Sequence, residues 1–178
     1  METSFEVLKD KASKVKWFFC DIDGTLTDGC VYYSPKGELL KKFSFRDGTG
    51  FFLLKQVGIN VGFITTECSS VVKKRAEKLK IDKYIYGTHH KVETMAHFLK
   101  ENNLSWVDIA FIGDDINDVK LLKAVGLSFA VGNANPRAKD SADVILQNDG
   151  GKGAFREAVE KLLGLKGVDV DEIIELYL

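Results

Sequence analysis

Only two prolines, Pro35 and Pro136, interrupt this chain of 178 residues, and neither falls in a proline-rich or low-complexity stretch. That absence leaves no linker-like segment, so no domain boundary is expected. Cysteine is scarce and odd in number: Cys20, Cys30 and Cys68 form no CxxC spacing, which argues against a thiolate metal site or a disulfide framework and for reduced thiols. No run approaches the ~20 apolar residues that a membrane span needs. The opening Met-Glu-Thr-Ser-Phe-Glu has no basic segment followed by an apolar one, so a cytoplasmic protein is expected, with no membrane partner. Charge of one sign is missing as well. With 25 basic and 26 acidic residues the net charge is −1, which gives no general attraction to nucleic acid or anionic lipid. Any anionic ligand must be held by local groups.

What is present is one substantial core and a regular alternation. Hydrophobic residues make up 45% of the chain, enough for a single domain over residues 1–178. Short apolar runs alternate with amphipathic stretches, the pattern of parallel strands connected through helices. Strands are expected near 16–21, 60–64, 84–86, 107–112, 127–131 and 143–146. Helices are expected near 48–57, 69–80, 91–102, 116–123 and 153–163. The fold class is therefore α/β, a three-layer Rossmann-like parallel sheet with helices on both faces. Residues 30–45 break the alternation: Cys30 to Tyr33 and Glu38 to Phe43 flank Ser34-Pro35-Lys36-Gly37, which reads as a β-hairpin insertion.

Chemistry concentrates where apolar runs end. Asp21-Ile22-Asp23-Gly24-Thr25 closes the first run with two carboxylates one residue apart, which can share a face as nucleophile and acid/base. Phe63-Ile64-Thr65 ends another run on a hydroxyl. Gly113-Asp114-Asp115-Ile116-Asn117-Asp118 follows a third run, and Lys91 opens a helical pattern. A lone Asp/Gly turn would be unremarkable. Ligands of such sheets bind outside the carboxyl ends of the strands, where Asp21, Thr65 and Asp114 all fall.

Three other candidates weigh less. Adjacent His89 and His90 point apart on an extended segment and read as a surface loop. Gly150-Gly151-Lys152-Gly153 lacks the Walker spacing and reads as a turn into the 153–163 helix, at the edge of the site. Phe43, Phe45, Phe51 and Phe52 read as packing residues rather than a ligand-stacking cluster.

The four pieces resemble, in order, the motif set of the haloacid dehalogenase superfamily of phosphatases: Asp21 with Asp23, then Thr65, Lys91, and Asp114 with Asp118. Further features are similar to its small phosphatases of 3-deoxy-2-ulosonate phosphates. They are Asp-x-Asp-Gly-x-x-Thr-Asp-Gly at 21–29, Lys42-Phe43, Arg46-Asp47-Gly48, Gly50, Arg75-Ala76, and 150–157. The resemblance covers about Lys16 to Leu163. It implies Mg²⁺ held by the Asp21 carboxylate, the Asp23 carbonyl and the Asp114 carboxylate. It implies Asp21 as nucleophile, Asp23 as general acid and base, and Thr65, Lys91 and the Thr66 amide on the phosphoryl oxygens. Asn117 and Asp118 orient this machinery. The usual cap domain has no room between Asp28 and Thr65 or between Thr65 and Lys91.

The chain departs from the octulosonate pattern at Thr65-Thr66-Glu67, where glycine and then arginine commonly follow the threonine. Glu67 is expected at the start of the following helix, facing the sugar, with Arg75 and Lys78, from the same or a neighbouring subunit, as candidate ligands of the substrate carboxylate. The resemblance on these residues favours a nonulosonate 9-phosphate, with 3-deoxy-D-manno-octulosonate 8-phosphate as the alternative. A non-catalytic assembly module of this fold is a second alternative, disfavoured by the presence of Asp21 and Asp23. A homotetramer is expected, because the hairpin carries Val31, Tyr32, Tyr33, Leu39 and Leu40, and the acidic tail at about 165–178 is amphipathic.

Overall fold

The computed structural model describes residues 4–175, so the last three residues of the tail, Leu176 to Leu178, lie outside the described residues. The chain begins with α1 (Phe5–Lys14), β1 (Trp17–Cys20), β2 (Thr27–Ser34) and β3 (Gly37–Phe43). It continues through α2 (Phe45–Gln56), β4 (Asn60–Ile64), α3 (Ser70–Leu79), β5 (Lys83–Ile85) and α4 (Lys91–Glu101). The last part holds β6 (Ile109–Gly113), α5 (Val119–Ala124), β7 (Leu127–Ala130), α6 (Pro136–Lys139), β8 (Val144–Ile145), α7 (Ala154–Leu165) and α8 (Val170–Glu175).

Every residue of β1 is apolar, which suits a strand covered on both faces. It lies inside a six-stranded parallel sheet ordered β5-β4-β1-β6-β7-β8. Its side chains alternate between two helical layers, as strand geometry requires. Phe18 meets Phe155 of α7 at 5.2 Å between ring centroids, whereas Trp17 and Phe19 meet Phe98 of α4 at 5.0 and 5.1 Å. The three-layer expectation holds, and each expected strand and helix is present within a few residues. The chain leaves β1 toward β4 and β5, then returns to place β6 on β1's other side. The carboxyl end of β1 is therefore the switch point of strand order, where the crevice of such a sheet opens.

Three elements were not expected: α1, α6 and α8. The first has a readable signal in Phe5, Leu8 and Ala12 on one face behind Ser4 at the N-cap position. Its last carbonyls, those of Ala12, Ser13 and Val15, accept from the ammonium of Lys166 just past α7 at 2.9, 3.2 and 3.2 Å. That cation satisfies orphan acceptors and complements the helix dipole.

The hairpin forms as expected, antiparallel β2 with β3, and makes a separate two-stranded sheet. Among the described residues no cap domain is inserted, and no helix is long and apolar enough to cross a membrane.

Of the four phenylalanines read as packing residues, Phe51 is buried and stacks on Phe155 at 4.1 Å between centroids, while Phe45 is 84% exposed. Phe155 thus joins α7 to both α2 and β1. Phe155→Ala is expected to cost about 3–5 kcal/mol, the range for truncating a buried aromatic. Urea unfolding of the variant against the parent measures it.

Candidate active site

Asp21 follows β1 directly and is 4% exposed, its backbone N–H donating to Ile112 O of β6 at 3.0 Å. The chain then turns at Asp23 to Leu26. Gly24 makes the turn at φ +93°, and a Cβ there would stand 2.1 Å from Asp114 Oδ2, so only glycine lets this turn close on the β6 loop. From behind, Gly150 approaches so closely that a Cβ would overlap Gly24 O. Gly151 N–H donates to Thr25 O at 3.0 Å, and Gly150 N–H to Asn133 Oδ1 at 2.9 Å. The 150–153 segment is a turn into α7, as expected, but it buttresses the Asp21 turn rather than standing at the rim.

Lys91, the first residue of α4, is buried and donates to Asp21 Oδ1 at 2.5 Å and Asp118 Oδ1 at 2.6 Å. Asp118 is fully buried, and its Oδ2 accepts the N–H groups of Asp114 and Asp115 at 3.0 and 3.3 Å. This residue locks the β6 loop and aims Lys91 at the same time. Asp114 Oδ1 accepts the Thr25 hydroxyl at 3.0 Å. Thr25 is a contact the sequence reading missed, although it sits inside the quoted motif.

Oxygens of Asp21, Asp114 and Asp118 lie within 4.8 Å of one another. Three carboxylates face one nearby ammonium, and the balance shows in their protonation. Burial raises Asp21 well above the ordinary carboxylate value, with Lys91 opposing and Asp118 and Asp114 adding to the rise. Asp114 is pushed up to about 7, by burial first and then by Asp118. Burial works against the Lys91 ammonium, but Asp21 and Asp118 outweigh it and hold its pKa above the usual lysine value. An all-oxygen set with excess negative charge fits a hard divalent cation. Asp118 already spends both oxygens on Lys91 and two amides, so Asp21 and Asp114 are the carboxylates left to hold one.

Thr65 ends β4 and is 2% exposed; Thr66 is half-buried and Glu67 exposed. These three line a cavity of about 320 Å³ together with Asp21, Asp23 and Asn117. Asn117 is exposed and, among the described residues, makes no hydrogen bond to Lys91 or Asp118, unlike the orienting role expected of it. Glu67 lies in the loop before α3, which starts at Ser70, and not at the helix start; Ser69 accepts from Val72 N–H and is the cap. Arg75 and Lys78 face a different hollow on α3, with Phe45 and Gly48, and are not brought to the Asp21 cavity of their own chain. Arg75 Nε is buried there without a hydrogen-bond partner, and its guanidinium lies 5.5 Å from the Phe43 ring centroid. His89 and His90 are exposed, as expected of a surface loop.

The hairpin supplies what the sequence reading overlooked. Lys41 lines the cavity and its Nζ is 2.5 Å from Asp23 Oδ1 and 3.5 Å from Glu38. Strand alternation puts one of the adjacent Lys41 and Lys42 inward, but a hairpin without its own core does not say which.

A family model described as haloacid dehalogenase-like hydrolase matches residues 60–156. The 3-deoxy-D-manno-octulosonate 8-phosphate phosphatase KdsC of Haemophilus influenzae is 34% identical over 160 residues, 90% of this chain and 89% of that protein. The 3-deoxy-D-manno-octulosonate 8-phosphate phosphatase of Moraxella catarrhalis, solved with magnesium, phosphate and KDO, superposes with a TM-score of 0.92. It is 32% identical and covers 99% of this chain and 100% of that one. The cobalt-bound phosphatase of Haemophilus influenzae gives 0.85 at 34% identity, covering 88% and 92%. With its two-carboxylate turn, its Lys91 bridge and no cap among the described residues, the chain belongs to the haloacid dehalogenase-like hydrolases, in their capless sugar-acid phosphatase branch.

Proposed function

We propose that the protein is a Mg²⁺-dependent phosphatase of a phosphorylated 3-deoxy-2-ulosonic acid, and that 3-deoxy-D-manno-octulosonate 8-phosphate is its substrate. The observation that carries the chemistry is Lys91 buried between Asp21 and Asp118, with Asp21 itself lining an open cavity. The choice of substrate follows the relatives' activity, against the nonulosonate preference expected from Glu67. Glu67 lines the cavity, and this keeps a nonulosonate 9-phosphate as the second reading.

Asp21 attacks phosphorus in line and Asp23 protonates the departing alkoxide; Asp23 then deprotonates the water that frees phosphate. Thr65, the Thr66 amide and Lys91 hold phosphoryl oxygens. Asp21, Asp114 and the Asp23 carbonyl would hold Mg²⁺, which would supply the positive charge that lets a carboxylate approach a phosphate dianion. Asp118 supports this set, Asn117 lines the cavity beside it, and Glu67, Arg75 and Lys78 contact the sugar acid, the last two from a neighbouring subunit.

Phosphate release from the octulosonate and nonulosonate phosphates tests the reading. The parent is expected to favour the octulosonate by kcat/KM, to stop in excess chelator, and to recover with Mg²⁺ but not Ca²⁺, whose looser coordination misplaces the attacking oxygen. Asp21→Asn should lose several powers of ten, beyond the ~10²–10⁴ of acid/base help alone. Full activity in chelator, or preference for the nonulosonate, rejects the corresponding half.

Asp114 gives a pH test of the metal-free protein. Its folded pKa of about 7 lies above the ordinary carboxylate value of about 4, so the folded state binds its proton more tightly. The resulting cost to stability is absent below about pH 4, grows as pH rises, and is complete above about 7. Asp114→Asn removes the charge. It is expected to melt above the parent at about pH 8, with the gap closing toward pH 4, while losing activity. Calorimetry across that range checks it.

Assembly is part of the proposal. Tyr33 is 70% and Leu39 57% exposed on the hairpin, more apolar surface than a free hairpin carries. We expect a homotetramer by light scattering at working concentration; an active monomer would defeat this.

A further inference from the structure

Lys41 belongs to none of the motif pieces, yet it is the hairpin side chain most deeply sunk into the site. Its side chain is 3% exposed while its neighbours Leu39 and Leu40 face outward. A surface lysine normally keeps its ammonium in water. Here the ammonium is buried against Asp23 and Glu38, 2.5 and 3.5 Å away. Glu38 in turn accepts the Ser69 hydroxyl, and Ser69 caps α3 through Val72 N–H at 3.1 Å. The hairpin is thereby fastened both to the Asp23 turn and to the loop that follows Thr65.

The decisive detail is on Asp23 itself. Its Oδ1 takes the Lys41 ammonium at 2.5 Å, while its Oδ2 is buried with no hydrogen-bond partner among the described residues. The torsion that turns an aspartate carboxyl is broad and roughly two-fold, so nothing intrinsic to Asp23 decides which oxygen is presented. An oxygen that already accepts from an ammonium is the poorer proton carrier, because a hydrogen placed there would face a second donor.

Resting on the phosphatase reading, we propose that Lys41 is a positioning residue that pins Asp23 Oδ1 and so assigns Oδ2 as the oxygen that delivers and recovers the proton. As Asp21 forms its bond to phosphorus, the phosphorus–oxygen bond to the leaving group breaks. The electron pair left on that oxygen takes the proton from Asp23 Oδ2. In the second half, Oδ2 takes a proton from the attacking water, and the Asp21–phosphorus bond breaks to release phosphate. Lys41 keeps its own protons throughout.

Leaving-group dependence tests this, because only a poor leaving group needs the proton. Two substrates without a carboxylate, p-nitrophenyl phosphate and the poorer phenyl phosphate, are compared in the parent, Lys41→Met, Lys41→Gln, Lys41→Arg and Asp23→Asn. The double variant of Lys41→Met with Asp23→Asn completes the set. The kcat of Lys41→Met is expected to fall on both substrates, and roughly tenfold to a hundredfold further on phenyl phosphate, a fraction of what a positioned acid supplies. Asp23→Asn should show the same bias, the double variant should be no worse than Asp23→Asn, and Lys41→Arg should recover most of the loss.

Equal losses on the two substrates in a Lys41 variant, beside a biased Asp23→Asn, would overturn the proposal. So would a rise in KM with kcat unchanged, which would make Lys41 a substrate ligand. Loss of the folded circular dichroism spectrum in both Lys41→Met and Lys41→Gln would overturn it too, by making Lys41 a structural post. A parent inactive on every phosphomonoester would instead reject the phosphatase reading.

Discussion

Buried like charges set the terms for this molecule. Asp21, Asp114 and Asp118 come from two different strand ends, lie largely out of water, and repel one another. A buried charge is tolerated only when it is paired and its remaining lone pairs are satisfied. Lys91 meets that requirement by reaching both Asp21 and Asp118, and it can do so because α4 begins on it, at the carboxyl side of the sheet. Asp118 meets it again by accepting two backbone amides of its own loop. The pairing stops short of Asp114, whose one side-chain bond is to a neutral hydroxyl. The network thus leaves Asp114 without a cation of its own, and the proposed Mg²⁺ would fill that deficit.

The sheet and most of the site could be read in the amino-acid sequence because two periodicities coincide with it. Strands buried on both faces leave continuous apolar runs, such as Trp17 to Cys20, and polar residues at their ends stand out against that background. Asp21, Thr65 and Asp114 were legible for this reason. Positions outside that logic were not. Whether Lys41 or Lys42 turns inward depends on what lies beneath the hairpin, and that is supplied by Asp23 and Glu38 from tertiary structure. Glu67 was expected at the start of a helix, yet Ser69 is the better cap and starts the helix at Ser70. Arg75 and Lys78 keep helical spacing from the Thr65 loop, but that spacing cannot say which hollow they face, and the single chain turns them toward Phe45 and Gly48.

Without a cap, the hairpin is the wall of the cavity. Val31, Tyr33, Glu38 and Lys41 all line it, although the two strands carrying them hydrogen-bond only to each other and not to the main sheet. A two-stranded sheet is marginal by itself. Its position is maintained by a few ion pairs and hydrogen bonds at its base: Lys41 to Asp23, Glu38 to Ser69, and Arg75 to Ser44 O at 3.2 Å. A hairpin with exposed apolar side chains is therefore coupled to the Asp23 carboxyl.

The close approach of Gly150 to Gly24 has a consequence for how the protein comes into being. β1 is among the first elements made, but its two neighbours in the sheet, β4 and β6, follow much later, and the segment that braces the Asp21 turn comes after every strand. On the ribosome, where domains form as their residues emerge, the Asp21 turn must wait unsupported until the final third of the chain is out. A truncated or stalled chain then carries Asp21 and Asp23 without the floor that aligns them.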